Sequence, residues 1–200
     1  EAYWLAVHEA GGLPLELPCD RARPAGTRSF ASRREDVALD AALTQAIRAM
    51  ASRHGCSLFA ALFGTYAALL ARLAGTSDLT IGVPAAGQAA AGLDGLVGHC
   101  INLLPVRLRV DLGRGADDLL AASRSAVLDA YDHQHCTLGS LLQKMQLPRD
   151  PSRLPLVSVM FNLDSAIDEA SLSDESLRVR VRGNPRSFEN YELFLNVSQI

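Results

Sequence analysis

Apolar positions between Asp40 and His54 recur at helical spacing. Leu43, Ala46, Ile47, Met50 and Ala51 make an i, i+3, i+4, i+7, i+8 stripe, with Asp40 placed to cap the helix and Gly55 to end it. Ser57 can cap a second helix that reaches Ala74 and stops at Gly75; it is apolar on nearly every side, which predicts a central, buried helix. Leu79 to Val83 reads as a buried strand, followed by a Gly/Ala-rich loop from Pro84 to Gly95. Leu104, Val106, Leu108 and Val110 alternate with Pro105, Arg107 and Arg109, the pattern of a half-buried strand. Ala116 to Tyr131 is a third long helix, with Asp117 and Asp118 at its positive N-terminal end. Three period-two runs close the chain: Val157, Val159, Phe161 and Leu163; Leu177, Val179 and Val181; and Tyr191, Leu193, Leu195 and Val197.

The first 28 residues differ in character. A short helix leads into a stretch punctuated by Pro14, Pro18 and Pro24, where long regular structure cannot form, and Ser29 to Leu39 has room for one strand. Helices early and strands late predict an α/β fold, a mixed sheet layered with helices. The chain opens on Glu1 rather than Met and ends at Ile200 inside a strand-like run, which suggests a piece of a larger protein.

Composition narrows the class. The 200 residues are 48% hydrophobic and 20% charged, enough for one core and too apolar for disorder. The net charge is −3, and Lys144 is the single lysine. Arg178, Arg180 and Arg182 read as the solvated face of a strand, so nucleic acid is not indicated. Leu58 to Ala74 is interrupted by Gly64, Thr65 and Arg72, so it reads as a core helix and no membrane segment is expected. Cys19, Cys56, Cys100 and Cys136 are widely separated with no CxxC pair, which fits reduced thiols and a cytoplasmic protein.

The search for chemistry returns little. The chain has no G-x-S-x-G elbow and no phosphate-binding loop. His133 and His135 could share a strand face and grip a metal, yet no second ligand cluster has compatible spacing; capping or hydrogen-bonded loop histidines is the stronger reading, and no metal is expected. A histidine base for acyl transfer in the form His-x-x-x-Asp is also absent. Position +4 is Gly12 after His8, Leu58 after His54, Leu103 after His99, Thr137 after His133 and Gly139 after His135.

Several segments, in order, nevertheless resemble the condensation domains of nonribosomal peptide synthetases. Tyr3-Trp4-Leu5 and the run from Leu15 to Pro24 resemble the family's stretch joining its two lobes. Ile81 to Gln88 resembles Gly-x-Pro-x-Ala-Gly-Arg, with Gln88 in place of Arg. Val97 to Arg107 resembles Gly-x-Phe-Val-Asn-Thr around Asn102, with His99, Cys100 and Leu103 departing from the usual residues. Asp132 to His135 resembles His-Gln-Asp, with His135 where Asp is usual, and Arg149 to Leu156 resembles Arg-Asp-x-Ser-Arg-x-Pro-Leu. Phe188 to Leu193 resembles the run that often holds Phe-Asp-Leu.

This resemblance implies a chloramphenicol-acetyltransferase-like half-domain: residues 1–28 as inter-lobe helix and linker, and 29–200 as the C-terminal lobe, incomplete at its C-terminus. It implies amide-bond formation between a carrier-bound acyl or peptidyl donor thioester and a carrier-bound aminoacyl acceptor. The family's His-His-x-x-x-Asp-Gly motif would lie in the other lobe, so no catalytic residue is expected here. Phosphopantetheine would arrive on partner carrier domains, with no cofactor bound directly. Partners would be those carriers and the N-terminal lobe, with self-association through an exposed lobe interface. Gly82, Pro84, Gly87, Gln88 and Asn102 are the tunnel-lining candidates. For Gly82, Pro84 and Gly87 the bland reading is a tight turn after a buried strand; for Asn102 it is an amide satisfying backbone groups. Arg149, Asp150, Arg153 and Pro155 form a structural motif, either a salt-bridged loop anchor or an orienter of a lobe-crossing strand. Other readings are a non-catalytic carrier-binding module, or an ester-forming or epimerising relative.

Overall fold

The computed structural model describes residues 1–9, 15–22, 28–90, 92–93, 95–147, 150–166 and 168–199. Among these, α1 (Ala2–His8), α2 (Ala41–Arg53), α3 (Leu58–Ala74), β1 (Asp78–Ala86), the short α4 (Gly87–Ala90), β2 (Ile101–Arg109), α5 (Ala116–Asp132), α6 (Leu138–Lys144), β3 (Val159–Asp164) and β4 (Leu193–Ser198) follow in order. The sheet order is β2-β1-β3-β4. β1 and β2 run antiparallel, whereas β3 lies parallel to both β1 and β4, so the sheet is mixed.

Local chemistry sets the helix ends. Asp40 accepts the Leu43 N–H at 2.7 Å, and Ser57 accepts the Ala60 N–H at 3.1 Å. Gly75 ends α3 in the left-handed region at φ +65°, where a side chain is strained. Thr137 caps α6, a helix that the apolar pattern did not announce, through the Ser140 N–H.

Helices α3, α5 and α6 pack on one face of the sheet. On this face Phe161 of β3 meets Phe59 and Phe63 of α3 edge-on, at centroid distances of 5.1 and 5.9 Å. Ile81, Val83, Leu104 and Val159 complete the layer. Small residues let α3 and α5 approach closely. Ser123 donates to the Ala60 carbonyl at 2.5 Å, and a Cβ on Gly64 would lie 3.0 Å from the Ser123 Cβ.

Several expectations are corrected. Ser29 to Leu39 forms no strand; its one bridge among the described residues is Ala31–Phe188. Leu177 to Val181 is irregular and largely exposed, because no described strand lies beside it to pair with. The α2 stripe has the right period, but only Ala51 is buried, since no described element covers the rest. Leu69 and Leu73 leave one side of α3 exposed. The loop after β1 begins three residues late: Pro84, Ala85 and Ala86 are strand, with Pro84 opposite Leu103.

Gly82 is therefore no turn residue. It sits mid-strand between Pro105 and Met160, and a Cβ there would meet Val157 Cγ1 at 2.6 Å and Leu103 Cδ1 at 3.0 Å. Gly82→Ala is expected to destabilise the chain by about 1–3 kcal/mol through overpacking, read as a lower urea midpoint at unchanged m-value.

Candidate functional site

The tunnel candidates gather where β1 leaves the sheet. Pro84, Ala85 and Ala86 face Leu103, Asn102 and Ile101 in register. Beyond them the Gly87 N–H donates to the Cys100 carbonyl at 2.9 Å, and a Cβ on Gly87 would lie 3.0 Å from that oxygen. Gln88 follows in α4, its carbonyl accepting the Leu93 N–H. Gly82 lies further back along β1, so Pro84, Gly87, Gln88 and Asn102 mark one end of the β1–β2 pair and Gly82 its middle.

Asn102 is fully engaged. Its Nδ2 donates to the Gln134 and Cys136 carbonyls at 2.8 and 2.9 Å, and its Oδ1 accepts from the Leu103 and Leu138 N–H groups at 2.9 and 3.3 Å. One carboxamide ties β2 to the turn between α5 and α6, which contains His133 and His135. His133 is committed as well, with Nδ1 2.8 Å from the Asp129 carbonyl and its ring stacked on Tyr3 at 3.9 Å. No three His, Cys, Asp or Glu side chains converge among the described residues. All four cysteines are unpaired.

Helix α1 supplies contacts that spacing could not announce. The Trp4 indole donates to the His133 carbonyl at 2.9 Å. His8 Nε2 donates to the Pro105 carbonyl at 3.0 Å, so α1 covers the outer edge of β2. Arg107 pairs with Asp78 through two bonds of 2.8 and 2.5 Å and also donates to the Val7 carbonyl. That pairing holds the Asp78 carboxyl below its ordinary range. His8 Nδ1 is buried without a partner among the described residues, and burial pushes the imidazole below 6.5, with the Arg107 charge adding to the effect and the Pro105 carbonyl and Asp78 opposing it.

The second candidate group lies before β3. Asp150 Oδ1 accepts from both N–H and Oγ of Ser152, and Arg153 pairs with Asp150 at 2.8 Å and with Glu16 at 2.5 Å. The guanidinium thereby links this turn to the segment after α1. Pro155 accepts the Val157 N–H at 2.7 Å, closing a tight turn that holds the buried Leu156 at φ +64°. Arg149 lies outside the described residues. The structure does not bring this group together with the β1–β2 end.

The arrangement is a mixed sheet with helices on one face and a shaped strand end. Comparison with known proteins gives the class. The condensation-domain family is matched across residues 1–199. A plipastatin synthase of Bacillus subtilis (strain 168) is 36% identical over 184 residues, covering 92% of this chain and 7% of that protein. Tyrocidine synthase 2 of Brevibacillus parabrevis is 34% identical over 165 residues, covering 82% of this chain and 5% of its own length. The crystal structure of the X-domain from teicoplanin biosynthesis superposes with a TM-score of 0.80 at 22% identity, covering 100% of this chain and 44% of that one. This chain belongs to the condensation-domain family, and its fold is the chloramphenicol-acetyltransferase-like one. It spans less than a tenth of these two curated relatives.

Two outcomes test the geometry. Asn102→Leu strands two carbonyls and two N–H groups and is expected to cost about 1–3 kcal/mol, with faster hydrogen exchange across residues 133–138 than elsewhere. His8 has a depressed folded-state pKa, so the unfolded chain binds the proton first. Stability is complete above 6.5 and falls as pH drops below it. Urea midpoints measured from about pH 7.5 down to about 5.5 should decline, and His8→Gln should flatten that decline.

Proposed function

We propose that this chain is the C-terminal lobe of a nonribosomal peptide synthetase condensation domain. The family match along residues 1–199 carries the reading. Condensation forms a C–N bond and breaks a C–S bond: the acceptor amine attacks the donor thioester and the carrier thiol leaves. A base must take the proton from the amine. His8 and His133 are spent on backbone carbonyls, and no histidine of the sequence has Asp four residues on. The family resemblance assigns the base to a His-His-x-x-x-Asp-Gly segment outside this sequence.

The lobe's own part is shape. Pro84, Gly87 and Gln88 wall the tunnel along which phosphopantetheine arms enter from donor and acceptor carriers, while Asn102 holds that strand end through its carboxamide and Gly82, packed over by Val157, Leu103 and Met160, shapes it from behind; the lobe binds no cofactor itself. Asp150, Arg153 and Pro155 anchor the linker through Glu16 and fix the start of β3. Residues 1–28 act as the inter-lobe helix and linker. Exposed Leu39, Leu43, Leu69 and Leu73 form apolar surface that the N-terminal lobe or a second copy covers. The assembly works in the cytoplasm, where four unpaired cysteines stay reduced. Among the described residues no single helix is long and apolar enough to cross a membrane.

Loaded donor and acceptor carriers mixed with this chain alone should give no amide product. The same chain continuous with a His-His-x-x-x-Asp-Gly lobe should give product, lost on replacing the second histidine of that motif by Ala. Product from the chain alone would sink the proposal.

A further inference from the structure

Helix α1 is held against the lobe by a small set of side chains. At its start Glu1 pairs with Lys144 of α6, Tyr3 stacks on the His133 ring and the Trp4 indole donates to the His133 carbonyl. At its end Arg107 of β2 donates to the Val7 carbonyl, and His8 Nε2 donates to the Pro105 carbonyl at 3.0 Å. The next anchors are a separate set. The Leu15 carbonyl accepts from Ser158, and Glu16 pairs with Arg153, so α1 can leave while this segment stays.

His8 is the contact that a proton reverses. Only 3% of the residue is exposed, and because Nε2 donates, Nδ1 is left as a bare lone pair with no partner among the described residues. A proton added there makes a buried N–H with nothing to accept it and a positive charge shielded from water. The charged groups facing the ring are Arg107 of β2 and Asp78 of β1, whose carboxylate Arg107 already holds and Arg109 meets at 3.6 Å. The Arg107 charge repels an imidazolium; the Pro105 carbonyl and Asp78 oppose that effect without removing the penalty of burial. On α1 itself the neighbour is the Trp4 ring, nearly parallel to the imidazole at 6.3 Å between centroids. Once α1 leaves, the imidazole stands in water and takes its proton at the ordinary 6.5.

We propose that α1 is an acid-sensitive latch: protonation of His8 releases the helix from β2 while the rest of the lobe stays folded. Release uncovers the outer edge of β2 and frees one side of the turn between α5 and α6, whose Gln134 and Cys136 carbonyls Asn102 holds. The strand end where Pro84, Gly87 and Gln88 gather thereby loses a support. The latch is a property of this chain's own contacts and stands whether or not the lobe reading holds. Because the docked imidazole titrates below its free value, docking is complete above 6.5 and weakens as pH falls below it, by up to about tenfold per pH unit for one proton.

Trp4 is the only tryptophan of the sequence and is 1% exposed, so its fluorescence reports on α1. The test takes the 200-residue chain from about pH 7.5 to about pH 5 and follows Trp4 emission wavelength, acrylamide quenching and amide hydrogen exchange. Below 6.5 the emission should move to the red and become quenchable. Protection of the α1 amides, corrected for intrinsic exchange, should fall by up to about tenfold per pH unit while β1 and β3 stay more strongly protected. His8→Gln keeps an N–H for the Pro105 carbonyl and takes no proton, so Trp4 and α1 should stay unchanged through the same range. If that variant fails to dock, proton NMR of His8 in the unaltered chain decides: its ring should titrate where Trp4 becomes quenchable. The latch is overturned by α1 protection that is flat across the range, by loss of α1 only together with β1 and β3, or by a His8 ring that titrates while Trp4 stays shielded. An unaltered transition in His8→Gln overturns it too and passes the role to His133.

Discussion

The structure turns on the carboxamide of Asn102. Its four hydrogen bonds join β2 to the turn between α5 and α6, and that turn in turn receives α1 through Trp4 and Tyr3. A carboxamide suits this position because it offers donors and acceptor at once, matching carbonyls and N–H groups that would otherwise be stranded. The end of the β1–β2 pair, where the tunnel candidates gather, is held by the same contacts. Shape at the strand end and docking of the N-terminal helix are therefore one problem.

The two faces of the sheet divide the work. The helix-covered face is a dry aromatic and aliphatic layer around Phe161. The other face is closed over Gly82, where the absent side chain is replaced by Val157, Leu103 and Met160, and open towards Asn162 and Asn196. Parallel strands put their carboxyl ends on one edge, and ligand sites in α/β sheets commonly form there. The proposed reading as a tunnel wall draws on this edge.

Legibility followed the range of the interaction. Asp40, Ser57 and Gly75 announced their helix ends because each acts on a backbone group within a few residues. The alternation in β2 was readable for the same reason, since Leu104, Val106 and Leu108 must all face the core. Periodicity misled where it had no partner: Leu177 to Val181 alternates correctly, yet no described strand lies beside it. The α2 stripe shows the complementary limit, because a period says which residues share a face and nothing about what covers it. The candidate residues at the strand end came from family resemblance. Apart from the adjacent Leu103, the partners of Asn102, Trp4 and His8 lie 32 to 129 residues away, beyond any local pattern.

Strand order also governs how this chain leaves the ribosome. β1 is a central strand whose second neighbour is β3, and more than seventy residues separate Gly82 from its partner Met160. At roughly 5–20 residues per second, several seconds pass in which the nascent β1–β2 ribbon shows a bare, apolar edge to its surroundings. Pro84 on that edge has no N–H to offer a foreign strand, a small brake on mispairing during the wait.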